Sequence, residues 1–356
     1  MTTEGRQRWV LALTSTASLM ISLDALIVTT ALHAIAVDLH ASIADLEWTV
    51  NAYTLSFAVL LMAGAALGER YGRRRVLIGG LALFGVASAG CALAPSLGWL
   101  IAVRTIQGAG AAAVAPAALS VLSTAFRPEQ RPRALGLFAS ITGLATLGGP
   151  LIGGAIVQNL AWQWIFWINV PIAAVLIPMV LGRLEKNAGS ARGLDYAGIA
   201  LVSAAAFGLV WGLIRGNESG WAGAEVVAAL VGGAFALVVF IGWELHAEAP
   251  LIPMRFFATR AFSAGNAAGF LLFACIFSGA FFASSCRLGS AKTFSDGFGA
   301  AIVTAAALAV AGAAIGLLLP RRAARTTGHA VAMPAAPAGI HPVGDELVTT
   351  GAAWPR

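Results

Sequence analysis

Long apolar stretches alternate with short polar gaps along most of the sequence. A helix that crosses a bilayer needs about 20 consecutive apolar residues. Ten stretches qualify: Val10–Ile35, Trp48–Gly68, Val76–Leu93, Leu97–Ala125, Ala134–Val157, Trp164–Leu181, Tyr196–Ile214, Trp221–Trp243, Phe262–Ser284 and Phe298–Leu319. A closed barrel is the other spanning structure, and its strands would read as alternating segments of about ten residues. These stretches are continuously apolar. The pattern therefore predicts an all-α protein, a polytopic transmembrane helix bundle with about 10 spanning helices. The first stretch carries Asp24 at its centre and lacks a small-residue cleavage site, so it predicts a retained helix and not a signal peptide. From Pro320 onward, Pro334, Pro337, Pro342 and Pro355 break any helix, and residues 320–356 read as a disordered tail.

Composition sharpens this picture. Hydrophobic residues make up 59% of the 356 and charged residues only 11%, where a soluble domain carries about 25% charged. Mean hydropathy is +0.83. So few charges cannot cover a water-facing surface, and disorder of the whole chain would need the opposite balance.

The net charge of +6 and isoelectric point near 9.9 invite a nucleic-acid reading. The basic residues sit in short gaps and form no continuous face, so no nucleic-acid partner is predicted. Their distribution sets an orientation instead. With the N-terminus in the cytoplasm, the inside gaps and tail hold seventeen of the 22 Lys and Arg residues, and the outside gaps hold Arg215, Arg287 and Lys292. That asymmetry predicts a multi-pass protein of the cytoplasmic membrane with both termini inside. Three scattered cysteines give no disulfide framework, and no metal-ligand spacing occurs. The five histidines are scattered, and no nucleophile-plus-base set is found. No enzyme, catalytic residue, metal or cofactor is predicted.

Two charges interrupt the apolar stretches. Asp24 lies at the middle of the first, where a charge costs about 2.5–3.5 kcal/mol on insertion scales. Arg104 lies seven residues into the fourth, about 10 Å from its outer end at 1.5 Å per residue. The pair sits at comparable depth on separate helices. One reading is a structural ion pair that holds two helices together. The favoured reading is a proton or cation site in a central wet cavity, because intramembrane ionisable residues mark transport paths. Desolvation raises a carboxyl's proton affinity and a nearby cation lowers it, so a proton and a cationic substrate would compete for one carboxylate.

Gly148–Gly154 reads G-G-P-L-I-G-G inside the fifth stretch. Pro150 removes a backbone donor and favours a kink, and Gly149 with Gly153 allows close helix approach. The stretch predicts a bent helix that lines a moving interface, with plain packing as the alternative. Between stretches two and three, Glu69 stands among Arg70, Arg73, Arg74 and Arg75, and Gly72 permits a tight turn. The arginines anchor the inside face, and Glu69 is expected to make charge-assisted hydrogen bonds across a cytoplasmic gate.

Taken in order, these segments resemble the major facilitator superfamily, in its fourteen-helix drug:proton antiporter branch. Leu23-Asp24-Ala25-Leu26-Ile27-Val28 is similar to the branch's first-helix signature. Ala65–Arg74 resembles the loop motif G-x-L-A-D-R-x-G-R-K. Arg104-Thr105-Ile106-Gln107-Gly108-Ala109-Gly110 resembles the fourth-helix motif, whose arginine is linked to proton coupling. Gly149-Pro150-x-x-Gly153-Gly154 resembles the antiporter motif of helix five. Trp162-Gln163-Trp164 through Pro171 resembles the entry to helix six, and Pro250–Pro253 with Phe256, Phe257, Arg260 and Phe262 the segment before helix nine. The sequence departs from the pattern at Ala65, at Glu69 where Asp is usual, and at Gln163 where Arg is usual.

The resemblance covers the chain to about residue 283 and fades after residue 284, where truncation or a shifted reading frame is expected. It implies a six-helix bundle (1–183), a central two-helix insert (184–250), an incomplete C-terminal bundle (251–319) and a cytoplasmic tail (320–356). It implies proton-coupled efflux of small amphipathic or cationic toxic compounds, with Asp24 and Arg104 on the pathway. Glu69, Arg70, Gly72, Arg73 and Arg74 would form the cytoplasmic gate, and Gly149, Pro150, Gly153 and Gly154 the helix-five interface. Its partners would be substrate, protons and the lipid bilayer. The alternative is a remnant of such a transporter that does not transport.

Overall fold

A computed structural model describes residues 3–267, apart from 187, 188, 190–192, 248, 249, 253, 260 and 261. Contacts divide the chain into two units, Met1–Arg255 and Phe256–Arg356. The first contains nine helices among its described residues: α1 (Thr3–Leu39), α2 (Ile43–Tyr71), α3 (Arg73–Ala92), α4 (Leu97–Ala125), α5 (Arg131–Asn159), α6 (Trp164–Trp167), α7 (Asn169–Arg183), α8 (Tyr196–Ser219) and α9 (Ala224–His246). With α6 and α7 taken as one span, eight helices are long and apolar enough to cross a membrane. They coincide with the first eight apolar stretches. Of the second unit, the described part includes Phe257, whose ring meets Phe262 edge-on at 4.9 Å. The ninth stretch beyond residue 267, the tenth stretch and the tail lie outside the described residues.

The helices extend beyond the apolar stretches because polar residues cap them outside the hydrocarbon. The Ser42 side chain accepts from the Asp45 N–H at the start of α2, Ser96 accepts from Trp99 N–H at α4, and Asp195 accepts from Gly198 N–H at α8. Each satisfies a donor that the first helical turn leaves unpaired. A single residue, Gly72, separates α2 from α3. Its φ of 95° lies where a Cβ would strain the backbone, and its N–H closes on Gly68 O at 3.1 Å.

Polar contacts gather the arginine-bearing ends. Arg6 pairs with Glu185, Gln7 donates to Ala125 O at 3.1 Å, and Arg74 donates to Leu181 O. The Arg183 guanidinium lies 4.7 Å over the Trp9 ring. At the opposite end, Trp162 Nε1 donates to Asp38 at 2.7 Å and Gln163 Nε2 to the same oxygen at 3.3 Å. Asp38 is exposed, and Gln163 Oε1 is buried without a partner among the described residues. Gln163→Arg should therefore form an ion pair with Asp38 and raise stability by about 0.3–1 kcal/mol, read as a small upward shift of thermal unfolding in detergent.

Two apolar clusters fill the bundle. One, toward the arginine-bearing end, contains Val10, Leu13, Leu77, Phe84, Leu122, Leu176 and Val180. The other contains Ile27, Val28, Ile35, Leu46, Leu100, Ile165 and Phe166. On α1, Asp24 falls between them. The α8–α9 hairpin packs against α2, where Ser203 Oγ donates to Val59 O at 2.9 Å and the Trp48 and Trp211 rings lie 5.2 Å apart. Near the end of α9, buried Glu244 accepts the N–H groups of Leu251 at 3.2 Å and Ile252 at 2.9 Å, which fixes the path of the Pro250–Ile252 segment.

Candidate functional site

The layer between the two clusters is polar. Arg104 and Gln107 are three residues apart on α4 and so share a helix face. Ser88 and Cys91 do the same on α3, and Asn169 is the first residue of α7. Arg104, Gln107 and Asn169 converge on Asp24 from α1, while Ser88 meets Asn169 and Cys91 meets Gln107. Arg104 Nη1 donates to Asp24 Oδ2 at 2.6 Å. Gln107 Nε2 and Asn169 Nδ2 donate to Asp24 Oδ1 at 3.0 and 2.7 Å. The carboxylate thus receives three hydrogen bonds, one of them from a cation.

The surroundings hold each donor in turn. Arg104 Nη1 also donates to Gln107 Oε1 at 2.8 Å, and Arg104 Nε donates to Thr49 O at 3.0 Å. The guanidinium stacks 4.2 Å from the Tyr53 ring centroid, a cation–π contact. Asn169 Nδ2 donates to Ser88 Oγ at 3.0 Å, and Ser88 Oγ donates to Phe166 O at 2.8 Å. Among the described residues, Arg104 Nη2 has no partner.

Close helix contact makes this layer possible. A Cβ on Gly108 would lie 2.0 Å from Ser56 Oγ and 2.4 Å from the Tyr53 carbonyl oxygen. The bare glycine lets α2 press against α4 and carry Tyr53 over Arg104. On the other side, a Cβ on Gly149 would lie 2.8 Å from Leu26 Cβ, and one on Gly153 would lie 2.2 Å from Thr30 Oγ1. These two glycines seat α5 on α1 within two turns of Asp24.

Asp24 and Arg104 are therefore brought together, as their depths predict. Their setting differs from the expected wet cavity: they are 1% and 0% exposed. The reason is saturation, since protein donors supply the hydrogen bonds that water would have made. Gly149 and Gly153 contact α1, whereas Pro150 is exposed and Gly154 has nothing within 4 Å of a Cβ. Helix α5 runs unbroken from Arg131 to Asn159 through Pro150. In the loop motif, Gly72 makes the turn and buried Arg74 reaches the end of α7, while Arg73 is half-buried and Arg70 exposed. Glu69 is exposed, and among the described residues it makes no ion pair or hydrogen bond. A separate recess, lined by Arg6, Val10, Val121, Thr124, Leu184 and Glu185, opens at the arginine-bearing end. It lies about 20 Å along α1 from Asp24.

Sequence reasoning did not single out Asn169, Gln107, Ser88 or Tyr53. Gln107 and Asn169 stand inside the helix-four and helix-six segments, and only Gln107 has a charged residue, Arg104, at helical spacing.

This architecture defines a multi-pass helical membrane protein whose core carries a buried ion pair. The chain matches the Major Facilitator Superfamily over residues 14–341. It belongs to that superfamily. It is 36% identical over 266 residues to a tetracenomycin C resistance and export protein of Streptomyces glaucescens, covering 74% of this chain and 49% of that protein. It is 37% identical over 267 residues to a methylenomycin A resistance protein of Bacillus subtilis, covering 75% and 57%. A cephamycin export protein of Amycolatopsis lactamdurans is 38% identical over 263 residues, covering 72% and 54%. The chain spans about half the length of the curated relatives it matches. In fold it is similar to a bacterial homologue of the human lysosomal transporter Spinster, inward-facing and occupied, with a TM-score of 0.50 and 18% identity over 88% of this chain and 77% of that one. A peptide transporter gives a TM-score of 0.51 at 13% identity, over 80% and 62%.

Proposed function

We propose that the protein is a secondary active transporter of the cytoplasmic membrane, exporting small amphipathic or cationic toxic compounds in exchange for protons. The observation that carries this reading is the fully buried Asp24–Arg104 pair at the middle of the spans. The names of the relatives, resistance and export proteins, give the substrate class. The arginine-bearing end faces the cytoplasm by the positive-inside rule. Helices α1–α7 act as the first bundle, α8 and α9 as a central insert, and the chain from residue 251 onward as part of the second bundle.

The chemistry follows from charge balance. An ion pair at this depth is tolerable while each charge neutralises the other. A proton on Asp24 cancels the carboxylate and leaves Arg104 as an uncompensated buried cation, which costs several kcal/mol. The bundle relieves that cost by moving Arg104 toward water or toward an acceptor. Proton binding is thereby linked to a change of conformation, and a cationic substrate that pairs with Asp24 competes with the proton. Each pH unit across the membrane supplies about 1.36 kcal/mol per proton, and 100 mV adds about 2.3 kcal/mol per charge. Gly149 and Gly153 let α5 slide on α1, and Glu69, Arg70, Gly72, Arg73 and Arg74 serve the cytoplasmic gate.

A second reading, a bundle that folds without transporting, draws on the dryness of the pair, 1% and 0% exposed, which suits a structural tie between α1 and α4. Purified protein in proteoliposomes with an imposed pH gradient separates the two. Dye movement that collapses when a protonophore dissipates the gradient is the expected result. Folded protein that moves no dye would overturn the transport reading and leave the second one.

A further inference from the structure

The donors around Asp24 differ in one respect that charge alone does not reveal. Arg104 can only donate hydrogen bonds. Gln107 is locked in orientation, because its Oε1 accepts from Arg104 while its Nε2 serves Asp24. Asn169 is different. Both of its contacts here, to Asp24 Oδ1 and to Ser88 Oγ, are made by the same amide nitrogen. Each partner can change role. A protonated carboxyl becomes a donor, and a serine hydroxyl both donates and accepts.

We propose that Asn169 is the positioning residue that reads the charge of Asp24 and passes it to α3 and to the α6–α7 junction. The inference rests on the reading of Asp24 as the proton-binding group. With Asp24 ionised, Asn169 Nδ2 donates to the carboxylate and to Ser88, whose hydroxyl donates to the Phe166 carbonyl. A proton arriving on Asp24 Oδ1 sets its O–H against that NH₂ group, donor against donor. The Asn169 amide then turns by half a rotation and presents its Oδ1. The new carboxyl O–H donates to this oxygen, and so does the Ser88 hydroxyl, which leaves Phe166 O. No covalent bond changes apart from the proton gained by Asp24.

The released carbonyl sits at a weak point. Span six stays helical through Ile168 (φ −59°, ψ −30°), but it lacks one rung there, because Pro171 has no N–H to offer the Trp167 carbonyl. Phe166 O accepts from Ser88 on α3, one residue before the missing rung. Losing the serine donor frees one end of span six from α3. Asp24, Asn169, Ser88 and Phe166 are 1%, 3%, 0% and 0% exposed, so water does not substitute readily for any link in the chain.

Acid-minus-alkaline difference infrared spectra test this on the full chain in nanodiscs containing isotope-labelled asparagine. A carboxylic-acid band that appears on acidification and is lost in Asp24→Asn reports the proton. A labelled amide band that shifts in the same step, and vanishes in both Asn169→Leu and Asp24→Asn, reports the rotation. Both bands together are expected. The carboxylic-acid band without the amide shift would overturn the role of Asn169 and leave Asp24 as the proton site. Absence of the carboxylic-acid band would overturn the Asp24 reading, and the relay with it. In transport, Asn169→Leu is expected to slow gradient-driven efflux about tenfold. Ser88→Ala should keep the amide band shift while slowing efflux, since it cuts the relay after Asn169; loss of the shift in Ser88→Ala would place the signal elsewhere.

Discussion

Asp24→Asn is expected to destabilise the bundle by about 3 kcal/mol and to abolish gradient-driven efflux. The asparagine still offers Arg104 one carbonyl oxygen but no charge, so a cation that is 0% exposed loses its counter-ion. Its own NH₂ group must also face Gln107 Nε2 or Asn169 Nδ2, both of which now donate into the same space. Removing one member of a buried pair costs about 3–5 kcal/mol, whereas replacing both by neutral groups of similar volume is often nearly neutral. The double variant Asp24→Asn/Arg104→Met should therefore regain most of the lost stability. It should still transport nothing, because the proposed proton-binding group is gone. Thermal unfolding in detergent and dye efflux in proteoliposomes read the two effects separately. If the double variant were no more stable than the single one, the charge balance would not be what holds α1 to α4.

The second large effect comes from a methyl group. Gly108→Ala should cost about 1–3 kcal/mol, and Gly108→Val more. The added carbon would meet the Tyr53 carbonyl oxygen at 2.4 Å, and backbone cannot turn aside as a side chain can. Helix α2 must back away from α4, which lifts the Tyr53 ring off Arg104 and stretches the Arg104 Nε bond to Thr49 O, 3.0 Å long in the native packing. Gly154→Ala is the matched control. Nothing lies within 4 Å of its Cβ position, and alanine favours a helix interior over glycine by about 0.5–1 kcal/mol. That variant should be as stable as the native chain or more so. Equal losses at both positions, measured by thermal unfolding, would mean that close α2–α4 contact is not what Gly108 provides.

The eight described spans were legible because an apolar stretch of that length has few other uses, and the Arg-rich gaps marked their ends. Their limits were less so. Helix α1 starts at Thr3 and not at Val10, and α2 at Ile43 and not at Trp48, because caps such as Ser42 continue the backbone pattern where hydrophobicity has stopped. Asp24 and Arg104 stood out as charges in hydrocarbon, and their pairing followed from depth. Asn169 and Gln107 did not stand out, since an uncharged amide does not register in a search for charges within apolar stretches. Their importance is spatial: Asn169 lies 145 positions from the carboxylate it meets. Pro171 removes the donor for the Trp167 carbonyl, yet span six continues as a helix through Ile168. Glu69 differs in the other direction. Four neighbouring arginines implied partners for it, yet within the motif it is Arg74 that reaches across to α7.

The two greasy packings above and below the Asp24 layer have no side chain in common. Each can stay intact while the seam between them is rearranged. On the proposed reading, a charge that comes or goes in that seam would act as a fulcrum between two packed blocks, reaching each through a ring it already touches, Tyr53 on one side and Phe166 on the other.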